Sequence, residues 1–326
     1  MSKYHIEKLS PCWEKQWDNF VENSNNGTIF HKLKFLEYHG RKFKNNESHI
    51  VFLKGESLFG VMPMVIFEKD EKKIAKSPYG ASYGGFVFNK ILNYCDSKEI
   101  IKLFIDYAKK LKINEIMITP PINIYHKKYS DTFILLMLEK GFKLVNSDIT
   151  SIVYLNSNNL ESEEFTSRAR NMARMARKAR KAGVEIVNKA AIKTFWKIME
   201  KTFTKLGICP THTLAEFQYL NRIYPDQIYA DIAVIDKKPI AGIGYFKINS
   251  RVNMSFYLCS DIKYKQTQAL SLLIYESLLK SKRQGFKYFD FGTSSANMIG
   301  RENIFRFKES FGAVGLFRNT YKWINN

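Results

Sequence analysis

The chain has 326 residues, of which 45% are apolar and 25% charged, a balance expected of a soluble globular protein with room for two domains. No run approaches the roughly 18 apolar residues of a membrane span, Met1–Lys8 lacks the apolar core of a secretion signal, and Cys12, Cys95, Cys209 and Cys259 have no Cys-x-x-Cys spacing. A disulfide framework or zinc site is thereby excluded and a cytoplasmic setting expected, while the net charge of +20 favours polyanionic partners such as nucleic acid, nucleotide-linked substrates or an anionic membrane face.

Taken in chain order, Asn26-Gly27-Thr28-Ile29-Phe30-His31 leads to Phe35 and His39 in the spacing His-x-x-x-Phe-x-x-x-His. Residues 51–64 read as strand, tight turn, strand, with Gly60 in the second strand. The loop Ser77-Pro78-Tyr79-Gly80-Ala81-Ser82-Tyr83-Gly84-Gly85 has glycines that permit close ligand approach, and Tyr79 and Tyr83 suit stacking on a sugar or peptide. A helix over Ile100–Leu111, a strand from Ile113, a helix ending near Phe142 and a strand Ser151–Leu155 complete this half. The Asn/Ser-rich stretch 156–162 then reads as a linker.

Beyond the linker, Ser167 to Gly183 is a helix rich in Ala and Arg, with glycine as its stop. Phe165, Ala169, Met172, Ala176 and Ala179 form its apolar stripe, and Arg170, Arg174, Arg177 and Lys181 its cationic one. Lys, Asn, Ile, Tyr and Phe are abundant throughout, as biased codon usage would produce, so the arginine cluster is the better witness to function. Two readings stand for it: a grip on phosphates, or a solvated helix face. A helix over Ile192–Leu206 opens into the loop Gly207-Ile208-Cys209-Pro210-Thr211-His212, where His212 is either a substrate contact or part of a structural turn. A second hairpin over 233–246, with Gly242 at the offset of Gly60, leads to a helix over Ala269–Lys282.

Next comes Phe289-Asp290-Phe291-Gly292-Thr293-Ser294-Ser295, an apolar strand opening into small polar residues. Ten residues on, Phe305-Arg306-Phe307-Lys308-Glu309-Ser310-Phe311-Gly312 sets two cations among aromatic rings. Cations in that setting suit an anionic ligand or a developing negative charge; the plainer alternative is a core strand followed by a helix with snorkelling basic residues. Asp290 is either a proton acceptor for an attacking amine or an ion-pair partner of Arg306 or Lys308. The strand Thr320–Trp323 ends the chain.

Hairpin, helix, strand, helix and strand thus recur in one order, which predicts a tandem duplication of α/β units: 1–155, degenerate and on the acceptor side, and 156–326, carrying the donor and transfer site. Where the second half has Asp290, Gly292 and Lys308, the first has Met117, Thr119 and Glu139.

The second hairpin, the Asp-Phe-Gly strand end and the Phe307-Lys308-x-x-Phe311-Gly312 segment resemble the second domain of Fem-type peptidyltransferases, the FemAB-like branch of the GNAT acyltransferase superfamily. The opening segment from Asn26 to Phe35 is similar to the start of related GNAT-like proteins, so the resemblance covers most of the chain. It implies two GNAT-like domains, each a mixed sheet flanked by helices. It also implies transfer of an aminoacyl or acyl group onto an amine of a peptidoglycan or surface-polysaccharide precursor, nucleotide- or lipid-linked, with peripheral contact at the inner membrane face. The donor it implies is aminoacyl-tRNA, with acyl-CoA as the alternative, and no tightly bound cofactor or metal. Lys308 takes the transfer role, with Asp290 and Tyr257 as further catalytic candidates and Arg306, Phe307 and the helix cations beside the donor. Tyr79, Tyr83, His31, His39, His212 and Ser294 are the acceptor contacts. Three departures qualify this. Asp261–Ala269 has no glycine where acetyl-CoA enzymes have a glycine-rich pyrophosphate loop, His39 stands where the muramyl-peptide enzymes have lysine, and no long helical arm is present. A non-enzymatic alternative is an RNA- or envelope-binding module on the same scaffold.

Overall fold

A computed structural model describes residues 3–155 and 163–325, so the linker 156–162 lies outside the described residues. The chain begins β1 (Tyr4–Lys8), α1 (Pro11–Asn23), α2 (Leu33–Leu36), β2 (Ile50–Lys54) and β3 (Ser57–Met62). It continues with β4 (Val65–Lys69), β5 (Lys72–Ser77), β6 (Val87–Phe88), α3 (Tyr94–Lys110), β7 (Glu115–Ile118), α4 (Thr132–Glu139) and β8 (Lys143–Tyr154). After the linker come α5 (Glu163–Lys181), β9 (Glu185–Val187), α6 (Ile192–Leu206), α7 (Leu214–Ile223), β10 (Ile228–Ile235), β11 (Lys238–Lys247) and β12 (Val252–Ser260). The last elements are α8 (Ala269–Arg283), β13 (Tyr288–Thr293), the short hairpin β14 (Ser295–Ala296) and β15 (Ile299–Gly300), α9 (Glu302–Glu309) and β16 (Val314–Ile324).

Two compact units result: Met1–Asp148 with Phe317–Asn326, and Ile149–Leu316. The cut falls seven residues before the expected 155/156 boundary, and the last ten residues go with the first unit. The reason is an exchange of strands. The strand that follows α4 pairs through Thr150–Tyr154 with β13 of the second unit. The strand that follows α9 pairs through Tyr321–Ile324 with β7 of the first. Alternation of apolar residues marks both segments as strands without naming a partner.

Within each unit the connections follow one plan. In the second, β10–β11 and β11–β12 are antiparallel hairpins, and α8 carries the chain across to β13, parallel to β12. In the first, β2–β3 and β4–β5 are the hairpins and α3 carries the chain to β7, parallel to β5. Pro63 divides β3 from β4 where β11 runs unbroken, because proline cannot donate to a ladder.

The helices expected over 100–111, 167–183, 192–206 and 269–282 form, while α1 and α7 were not read from the sequence. α3 is capped by Asn93, whose side chain accepts from Asp96 N, and buries Ile100, Ile101, Phe104 and Ala108 against Ile116 and Ile118 of β7. α5 stops at Gly183, whose φ of 78° glycine alone adopts without strain. Its apolar stripe docks Met172, Ala176 and Ala179 into the second core with Leu272, Leu273 and Phe289; the side chains of Phe165 and Ala169 lie outside the described residues.

Helix α6 crosses β11 at Gly242 and Gly244, where the Phe195 ring fills the room a side chain would take. A Cβ on Gly242 would meet Phe195 Cδ2 at 2.7 Å. Gly242→Ala is therefore expected to lower stability by about 1–3 kcal/mol through overpacking, read as an earlier midpoint in urea; an unchanged midpoint would mean that α6 shifts freely on the sheet.

Candidate functional site

The parallel strands β12 and β13 stay together for only part of their length. They pair from Val252 with Tyr288 to Met254 with Asp290. Beyond that, among the described residues, Ser255 to Ser260 pair with β11, while Thr293 pairs with Thr150 of β8. The two strands therefore diverge at their carboxyl ends, the side on which open α/β sheets bind ligands. Among the described residues of the first unit no comparable divergence is found. There β5 and β7 remain paired to Ser77 and Ile118, Thr119 N donates to Ser77 O (2.9 Å), and Gly84 N donates to Thr119 O (2.9 Å).

At the divergence β13 turns at Gly292, with φ of 74°. Asp290, fully buried, accepts through Oδ1 from Gly292 N (2.6 Å) and from Thr150 Oγ1 (2.7 Å). From the last turn of α9, Lys308 donates through Nζ to Gly292 O (2.8 Å) and Thr293 O (2.7 Å). It is 5% exposed, and burial pulls its pKa down to about 8, with the Asp290 charge opposing that fall. Ser294 completes the loop: its Oγ lies 2.6 Å from Ser151 Oγ, and its N donates to Ile149 O (2.7 Å). The arrangement is a water-poor strand end with one ammonium of lowered pKa, one buried carboxyl and three hydroxyls. It can hold a negative charge and exchange a proton near neutral pH.

Of the residues singled out in the sequence, this site brings together Asp290, Lys308 and Ser294. Arg306, on the same helix, points elsewhere: it is mostly exposed and lies 3.7 Å from Glu302 one turn back. Phe307 packs edge-on against Phe311 at 5.2 Å. Thr150 and Ser151 were missed, because β8 reads as the closing strand of the other half; two adjacent hydroxyls interrupting Ile149–Val153 were the available signal.

Tyr257 and His212 form a second group. His212 N donates to Tyr257 Oη (3.1 Å), and His212 Nδ1 lies 2.7 Å from the same oxygen. Both are buried with Trp196, Phe203 and Phe217 around Tyr257, and burial drives the Tyr257 pKa up, so it stays a neutral phenol. In the first unit, the His39 ring lies 3.9 Å from that of Tyr38, tilted by 36°, and 6.0 Å from Tyr79, whose hydroxyl donates to Glu47 (3.2 Å). His31 is fully buried; its Nδ1 lies 2.8 Å from Thr28 Oγ1, and burial lowers its pKa to about 4, so it is neutral at pH 7. Tyr83 is equally buried, against Tyr125 and beneath the Arg318 guanidinium. Arg170, Arg174, Arg177 and Lys181 are all exposed along α5.

The stretch before α8 is a 3-10 turn over Ile262–Thr267, after which Gln268 takes a left-handed φ of 60°. A glycine would occupy that conformation without strain. Among the described residues no three His, Cys, Asp or Glu side chains are grouped to hold a metal ion, and no helix is long and apolar enough to cross a membrane.

No family model matches the chain, and no curated protein matches it. Solved structures do. FemX superposes with a TM-score of 0.72 at 14% identity, over 99% of this chain and 98% of FemX. The C-terminal domain of a putative lysylphosphatidylglycerol synthetase from Agrobacterium fabrum gives 0.59 at 11% identity, over 97% of this chain and 93% of that one. A tandem GNAT protein from the clavulanic acid biosynthesis pathway gives 0.51 at 8% identity, over 98% of both chains. With its two units and shared connection plan, the chain has the tandem GNAT-like fold seen in FemX and in the tandem GNAT protein.

Proposed function

We propose that the protein is an N-acyltransferase of cell-envelope assembly, moving an aminoacyl group from aminoacyl-tRNA onto an amine of a peptide or amino-sugar precursor. The observation that carries this is the Lys308 ammonium, buried at the divergence of β12 and β13 with two of its three donors held by the Gly292 and Thr293 carbonyls. In the reaction the acceptor nitrogen attacks the ester carbonyl carbon, a C–N bond forms, and the bond to the ribose oxygen breaks. The amine loses a proton and the departing oxygen gains one. Lys308 stabilises the charge on the tetrahedral oxygen and then on the leaving alkoxide. A pKa near 8 lets it lend that proton and recover it.

The likeness to FemX and to the lysylphosphatidylglycerol synthetase domain supports an acyl acceptor in the envelope, nucleotide- or lipid-linked. On this reading the reaction runs in the cytoplasm, at the inner membrane face when the acceptor is a lipid, without a tightly bound cofactor. The exposed arginines of α5 are the donor's phosphate contacts. The second reading, an acyl-CoA donor, draws on the tandem GNAT fold, while the missing glycine at Gln268 weighs against it.

Labelled aminoacyl-tRNA and labelled acetyl-CoA, each offered with envelope-precursor extract, separate the two by which label becomes amide-linked. Replacing Arg170, Arg174 and Arg177 together with Ala is expected to weaken tRNA binding and to flatten the slope of log K against log salt by about 2–3, since each phosphate contact contributes about 0.7–0.9. If the parent protein shows no tRNA affinity at low salt, the CoA donor replaces tRNA in this account.

A further inference from the structure

Helix α1 presents an unusual face for so basic a chain. Trp13, Gln16, Phe20 and Asn23 succeed one another at three- and four-residue spacing, so rings and primary amides alternate along one stripe. This stripe lines an open groove of about 560 Å³ in the first unit, with Glu56 to Leu58 at the start of β3 and Asn89 also lining it. None of the described lining residues is Lys or Arg, although these supply 51 of the 326 residues. The Lys127 ammonium at this end of α1 is taken by the Asn23 main-chain carbonyl at 2.8 Å. The Trp13 indole N–H donates to Glu7 Oε2 (3.2 Å), and Asn23 Nδ2 donates to Asn19 Oδ1 (3.1 Å), which orients a ring and an amide on the groove wall.

From this lining we infer that the groove is a saccharide site, taking an uncharged, hydroxyl-rich ring. Its volume is that of small-molecule sites, about 300–1,000 Å³. Gln16 and Asn89 each carry an amide with two donors and an acceptor, Asn23 keeps its side-chain oxygen while its Nδ2 bonds Asn19, and Glu56 offers acceptors, which together match neighbouring hydroxyls. Trp13 and Phe20 offer flat apolar faces for the C–H side of a sugar ring. Among the described lining residues an anion meets the Glu56 carboxylate and no Lys or Arg. The described lining of the groove does not include His31, His39, Tyr79 or Tyr83. The inference does not depend on the acyl-transfer reading.

The test is calorimetric titration of the full chain with N-acetylglucosamine, its β-1,4-linked trimer and inorganic phosphate, with tryptophan fluorescence in parallel. The trimer is expected to bind saturably, the monomer more weakly, and phosphate to leave the fluorescence and the sugar affinity unchanged. Trp13→Ala should raise the Kd of the trimer about tenfold. Gln16→Ala combined with Asn19→Ala should also weaken it; both side chains are exposed, so this variant keeps the fold and decides the matter should Trp13→Ala not. Absence of saturable binding by either sugar, binding that survives the double variant, or displacement of the sugar by phosphate would each overturn the assignment. Transfer activity plays no part in these readouts.

Discussion

Lys308→Met is expected to fold as the parent does and to turn over about 10²–10³ more slowly, the usual cost of removing one donor to a developing oxyanion. Methionine keeps the length and apolar bulk of the lysine stem, so circular dichroism should change little, while melting should come earlier because buried Asp290 loses its counter-charge; turnover is compared below that midpoint. It cannot hold the Gly292 and Thr293 carbonyls, which the ammonium binds at 2.8 and 2.7 Å. Lys308→Arg should recover only part of the rate, because a planar guanidinium does not replace a compact ammonium in a closed site. The pH dependence has a definite sign. The folded pKa, about 8, lies below the ordinary lysine value of 10.5, so between these the unfolded chain binds more protons and this group's contribution makes stability rise with pH. Activity carried by the ammonium runs the other way and falls above about 8. A folded Lys308→Met enzyme within a few-fold of the parent would make Lys308 a structural tie, and the search would move to Tyr257 and Asp290.

Asp290→Ala is expected to cost about 3–5 kcal/mol, measured by urea denaturation, since it leaves a buried ammonium without its counter-charge. It also strips Gly292 N and Thr150 Oγ1 of their acceptor. Asp290→Asn keeps an oxygen for both donors and should cost much less. The charge that holds the Lys308 pKa up is gone in that variant, so the falling limb of its pH–rate profile moves below the parent's. A loss under about 1 kcal/mol for Asp290→Ala would show that the carboxyl carries no such role.

Much of this architecture was legible because it is local. Gly60 and Gly242 mark the hairpin strands, Gly183 ends the basic helix, and the Gly292 turn and Phe307-Lys308 segment lie where their composition puts them. The illegible part is long-range. That Thr150 would bond to Asp290, 140 residues away, depends on which strand β8 pairs with, and strand alternation carries no such information. The same limit hid the exchange of β16 into the first unit. In the sequence His31 and Tyr83 read as acceptor contacts and Tyr257 as a catalytic candidate; the fold buries all three, a placement that the residue types alone do not reveal.

The most direct measurement is single-turnover transfer from a labelled aminoacyl-tRNA to the precursor amine between pH 6 and 10, corrected for spontaneous ester hydrolysis. The account predicts amide-linked product, with a rate that falls above an apparent pKa near 8 in the parent and at a lower pH in Asp290→Asn. No transfer from either aminoacyl-tRNA or acyl-CoA, or a rate that passes through 8 unchanged, would contradict it.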